Sequence, residues 1–107
     1  MAVRMTQVTA LVLRAVAAGH EHGFDVMEAC QLPSGTIYPA LRRLEKGGLL
    51  KSSWEGEDVA HAQGRPRRRH YSLTPVGLGA LPAAEHKLAE VRRMLGELPG
   101  TSSAEAT

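Results

Sequence analysis

The chain has 107 residues, room for one small core and little else, which argues against a substrate-enclosing enzyme. Apolar residues make up 43% of it, yet no apolar run approaches the roughly eighteen residues a membrane helix needs. A lone cysteine, Cys30, excludes an internal disulfide and fits a reducing cytoplasm, while a formal net charge of +2 with pI ≈ 9.0 leans basic.

Val8, Leu11, Val12, Ala15 and Val16 recur at one helical face, which predicts a first helix over about Thr6 to Ala18, ended by Gly19. Arginines inside its apolar segment set it apart from a signal peptide. The stretch "GFDVMEAC" predicts a short second helix with Phe24, Met27 and Cys30 turned inward. After it, "QLPS" makes a tight turn, with Ser34 as N-cap of a third helix whose apolar face is Ile37, Ala40, Leu41 and Leu44. That helix stops at "KGG", Lys46 to Gly48. "LLKSSWE" predicts a strand that offers Leu50 and Trp54 to the core, and "RRHYSLT" a second with Tyr71 and Leu73 on one face. Between them "GEDVAHAQGRPRR" reads as a polar loop at the tip of a long hairpin. Thr74 and Pro75 are the N-cap and first turn of a last helix, and "PGTSSAEAT" lacks an apolar pattern and should fray.

This order predicts a mainly α fold with a small β-hairpin (α+β): a winged helix-turn-helix followed by a C-terminal dimerisation helix. The expected division is a DNA-binding unit at 1–74, a dimerisation helix at 75–98 and a disordered tail at 99–107.

The third helix opens on Ser34, Gly35 and Thr36, which are slim, carry two hydroxyls and leave backbone N–H groups for a phosphate. Pro39 removes a donor whose acceptor would be Gly35, where the backbone adjusts most easily. Tyr38 can give its hydroxyl to a phosphate and its ring to a sugar or thymine methyl, and Arg42, one turn on, can reach the backbone or a guanine edge. Taken alone, such a face also suits a merely solvated helix. The segment "GRPRRRH", Gly64 to His70, holds four arginines in seven residues and falls where a wing belongs, suited to the minor groove or flanking phosphates.

"GTIYPALRRLEKGGLL", "SWE" and "GRPRRRHYSLTPVG", with "HGF" at His22 to Phe24, resemble the signature of the PadR family of winged-helix transcriptional regulators over roughly Met5 to Leu81. The resemblance implies a cytoplasmic, homodimeric repressor on pseudo-palindromic double-stranded DNA, commonly released by a small-molecule effector. It places Ser34, Gly35, Thr36, Tyr38 and Pro39 at the groove and Arg65, Arg67 and Arg68 in the wing. The segment between the second and third helices is shorter than in many relatives. The single further helix is similar to the short-form members and leaves out a large effector domain.

Along that helix Leu81, Ala84, Leu88, Val91, Leu95 and Leu98 follow the 3–4 spacing of a two-stranded seam. About two and a half heptads are too few to hold alone, so the first helix is expected to complete the dimer interface. The other outcome is that this face packs on its own domain. Pro82 should kink the helix or mark its restart. The helix has no aromatic residue, so it offers a flat effector no stacking partner. No cofactor and no metal are expected, because no pair among Cys30 and the histidines has a structural-zinc spacing. The competing function is a winged-helix protein-interaction module without DNA, which would have little reason to gather arginines at the wing.

Overall fold

The structure, a computed structural model, describes residues 3–96. Five helices and one hairpin follow in the order α1 (Gln7–Ala17), α2 (Gly23–Cys30), α3 (Ser34–Lys46), β1 (Leu50–Trp54), α4 (Glu57–Ala62), β2 (Arg69–Leu73) and α5 (Pro75–Gly96). The mainly α winged-helix architecture expected from the sequence is the one observed.

Helix α1 is the hub. Thr6 and Thr9 close a reciprocal capping box at its start, and Thr9, though fully buried, is satisfied through its hydroxyl. Val12, Leu13, Ala15 and Val16 are buried, so α1 meets neighbours on most of its circumference: α2 and α3 on one side, α5 on the other. Ile37, Ala40, Leu41 and Leu44 of α3 are all fully buried against it, as the spacing predicts. Each such aliphatic side chain contributes about 1.5–3 kcal/mol of transfer free energy, which makes the α1–α3 contact the foundation on which the exposed face of α3 stands.

The turn between α2 and α3 passes through Gln31, which caps α2 in the left-handed region at φ 57°. Ser34 is not the N-cap of α3: Pro33 holds that position, offers no side-chain acceptor, and leaves Ser34 as the first helical residue. At the other end Gly48 takes φ +83°, a conformation that turns the chain sharply from α3 into β1. The strands pair antiparallel from Leu50↔Leu73 to Trp54↔Arg69. The polar stretch between them is not all loop, since α4 occupies six of its residues and buries Ala60.

Two inward assignments fail. Phe24 is 63% exposed and Trp54 56% exposed. On α2 the covered stripe is Gly23, Val26, Met27 and Cys30, one glycine taking the apolar position that Phe24 was expected to fill. Trp54 does share the strand face of Leu50, but four residues carry it about 13 Å along the strand, past the edge of the helical core.

The seam on α5 divides. Ala84 and Leu88 are buried within the chain's own core, on the side of α5 that packs along α1, so at these two positions the stripe is spent on its own domain. Leu81 and Val91 are half-buried, Leu95 is 51% exposed, and Leu98 lies outside the described residues. Pro82 sits inside α5 and the helix does not restart there. The carbonyl deprived of its donor is that of Leu78, an exposed residue, where water can serve instead.

Candidate nucleic-acid interface

The free face of α3 begins at Ser34 and Gly35, both exposed, and continues through Tyr38 and Arg42 towards the hairpin; Thr36 and Pro39 are half-buried. Pro33 caps without a side-chain hydrogen bond, and its carbonyl accepts from the Thr36 and Ile37 N–H groups, both at 3.0 Å. Pro39, Arg43 and Lys46 form a second, basic flank that Arg42 shares with the Tyr38 side. Tyr38 is 41% exposed, and its ring lies directly across Gly23: a Cβ built there would sit 2.3 Å from the ring. Gly23 is therefore a glycine for want of space, and the start of α2 sets the direction of Tyr38.

In the hairpin the arginines have separate tasks. Arg65 grips the Glu55 carboxylate with both terminal nitrogens, at 2.5 and 2.9 Å, and its side chain is only 18% exposed. Arg65, expected in the wing, is engaged as a staple across its base. That bond is the first cause holding the Glu55 carboxyl at about 2, with the Arg68 backbone N–H helping. Arg67 donates to the Glu55 carbonyl at 2.9 Å, and Arg69 to Ser52 Oγ at 2.8 Å and Glu45 at 3.4 Å. Both guanidiniums stand 5.6 Å from the centre of the Trp54 ring. Arg42 and Arg68 form no ion pair among the described residues; Arg68 only approaches Nε2 of His22, at 3.4 Å.

The wing is tied to the start of α2. His22 and His70 form an antiparallel bridge, the Tyr71 N–H donates to the Glu21 carbonyl at 2.7 Å, and the two imidazoles meet edge to face at 5.1 Å. His70 Nδ1 contacts Glu21 at 3.1 Å, and its Nε2 stands 3.6 Å from Glu55. Burial, then the nearby Arg68 and His70, push the His22 pKa down.

Together these elements enclose an open cleft of ≈ 420 Å³ between α2, α3 and the wing. It unites Tyr38, Arg42, Arg67 and Arg68 of the expected contact residues, and does not include Ser34, Gly35, Thr36, Pro39 or Arg65. It adds His22, Phe24, Trp54 and Arg69, which sequence reasoning missed. The signal for Arg69 was present in the arginine run; for the two rings none was, because each was assigned inward.

Residues 12–83 match the profile of the transcriptional regulator PadR-like family. Among solved structures the chain is similar to a PadR family transcription regulator from hypervirulent Clostridium difficile, with 22% identity and TM-score 0.67 over 84% of this chain and 95% of that one. It is similar also to Bordetella bronchiseptica BpsR, whose DNA binding is regulated by 6-hydroxynicotinic acid (21%, TM-score 0.72, 96% and 71% covered). A third is a variant of S. aureus MepR bound to an oligodeoxyribonucleotide (19%, TM-score 0.60, 92% and 70% covered). No curated protein matches the sequence. No helix among the described residues is long and apolar enough to cross a membrane.

Proposed function

The chain belongs to the PadR-like family of transcriptional regulators, and from that premise we propose that it is a dimeric repressor of a pseudo-palindromic operator. In this reading α3 enters the major groove with Ser34, Gly35, Thr36, Tyr38, Pro39 and Arg42, and Arg67 and Arg68 of the wing take phosphates or the minor groove. Residues 1–74 read the DNA and 75–98 join the two copies.

The observation that carries the reading is the pair of arginines, Arg42 and Arg68, exposed beside Tyr38 in one cleft, their guanidinium groups paired with no carboxylate among the described residues. Nearby acids are already engaged, Glu45 by Arg69 and Glu55 by Arg65, so the free positive charge faces outward. A polyanion complements it, whereas a protein-interaction module has no use for it. Dimerisation is supported by apolar residues of α5 that the chain leaves partly uncovered: Leu81 and Val91 are half-buried, and Met94, near the end of the helix, is 60% exposed. Two copies would present two α3 helices about one DNA turn apart, which is what a palindrome needs. Release by a small molecule is supported by the likeness to BpsR, whose own DNA binding 6-hydroxynicotinic acid regulates.

Footprinting on the promoter beside the gene tests the proposal. Two protected half-sites, with affinity falling steeply in salt, are the expected result. A chain that binds neither this promoter nor random duplex at low salt is an interaction module, and the proposal falls.

A further inference from the structure

Phe24 and Trp54 are two of the four aromatic residues in the chain, and both stand in water at the rim of the same cleft. They come from distant parts of the sequence, one from the first turn of α2 and one from the end of β1, and the fold brings them together without covering either. Leaving two large rings exposed forgoes the transfer free energy that burial would supply. Gly23, beside Phe24, is pinned under the Tyr38 ring, and Trp54 is flanked by the Arg67 and Arg69 guanidiniums.

We infer that Phe24 and Trp54 pack on the sugars of one DNA strand held in the cleft, whose phosphates meet Arg42 and Arg68. This rests on the DNA-binding reading above and adds to it two uncharged contacts that no arginine motif announces. The choice of occupant follows from charge. An apolar cleft edged by rings alone would suit a protein side chain or a second copy. Here four guanidiniums line it, and a second copy would bring four more against them. A strand of alternating phosphate and deoxyribose presents anionic and apolar groups in turn, matching arginines and rings in turn. Sugar contacts carry no base code, so the rings act on any duplex.

Trp54 is the only tryptophan, so its emission reports the cleft directly. The probe is a short fluorescein-labelled duplex of random sequence, titrated with the full chain at low salt and followed by anisotropy and by tryptophan fluorescence. The Trp54 emission should change in step with anisotropy. Phe24→Ala and Trp54→Leu should each weaken binding about fivefold, with melting temperature and the slope of log K against log salt both unchanged, because neither ring releases a counterion. Should either variant melt early, Phe24→Tyr and Trp54→Phe keep the ring and should restore binding. Wild-type duplex binding with unmoved emission, or unchanged affinity in folded Phe24→Ala and Trp54→Leu, overturns the clamp and leaves the repressor proposal standing. Absence of any duplex binding by the wild type overturns both.

Discussion

The cleft and the last helix treat their apolar residues in opposite ways. At the cleft, Phe24 and Trp54 are large, rigid and exposed; on α5, Ala84 and Leu88 are smaller and buried in the chain's own core. Read from the sequence alone, the assignments run the other way, with the rings inside and the leucine stripe offered to a partner. The difference lies in reach. Helices α1 and α5 pack along one another, and Ala84 and Leu88 of α5 are covered in that contact. The rings sit at element ends beside the cleft, where no element among the described residues covers them. Apolar character says that a residue gains from burial, and tertiary geometry decides whether it obtains it.

The largest test of this contrast is Leu88→Asp. If Leu88 belongs to the core of a single chain, a buried carboxylate there should cost on the order of 4 kcal/mol and unfold the domain, read by urea denaturation. Leu95→Asp, at a half-exposed site near the helix end, should leave the monomer folded and shift only the dimer equilibrium in light scattering. A folded, monomeric Leu88→Asp variant would return Leu88 to the intermolecular seam.

Legibility in the sequence followed the same line between local and distant causes. The α3 stripe was readable because its four apolar residues recur on one buried face through a helix of 13 residues. On α2, periodicity was equally present, but its first position is Gly23, and a glycine carries no apolar mark; the stripe was therefore shifted onto Phe24. Helix α4 has six residues and one buried alanine, too short for a period to show. In the wing the four arginines are chemically alike in sequence. Glu55, ten residues before Arg65, selects it across the hairpin, and only the folded geometry makes that choice.

Tyr38 gives the next effect in size. Tyr38→Ala should weaken operator binding by about 1–3 kcal/mol per half-site with little change in melting temperature, since the ring is only half-covered. Gly23→Ala offers a subtler route to the same loss. Its methyl group would overlap the outer edge of the Tyr38 ring, which must swing aside, so binding should drop while the tyrosine itself remains. Unaltered binding in Gly23→Ala would mean that the direction of Tyr38 is immaterial to recognition.

Acid should loosen the wing before it loosens the α1–α5 pair. His22 has its pKa lowered from 6.5, chiefly by burial, so the folded protein binds fewer protons than the unfolded chain; its contribution is full above 6.5 and declines as pH falls below it. Glu55, lowered from 4.5 to about 2 chiefly by Arg65, has the same sign in a lower window: its contribution is present above 4.5 and is lost between there and 2. Hydrogen exchange at the Tyr71 N–H, which bonds to Glu21 beside His22, should lose protection between pH 7 and 5, while amides in the middle of α1 keep theirs at the same opening free energy. Equal loss at both places would show that the wing is not a separately titrating unit.

The smallest effect, and the one that separates two arginines three residues apart, is in the salt dependence. Arg68 is exposed and its guanidinium pairs with no carboxylate among the described residues, so Arg68→Ala removes a phosphate contact directly and should flatten the slope of log K against log salt by about 0.9 per copy. Arg65 is already neutralised by Glu55, so it releases no counterion on binding, and Arg65→Ala should leave that slope nearly unchanged. Its expected consequence is structural: without the staple the wing frays, measured as faster proteolysis after residues 65–69, and affinity falls through lost order. Glu55→Gln supplies the control. It removes the same ion pair while freeing the Arg65 charge, so it should fray the wing in the same way and steepen the salt slope if Arg65 can then reach a phosphate. If instead Arg65→Ala flattens the slope as much as Arg68→Ala does, the pair with Glu55 must open on the DNA, and Arg65 belongs among the groove contacts after all.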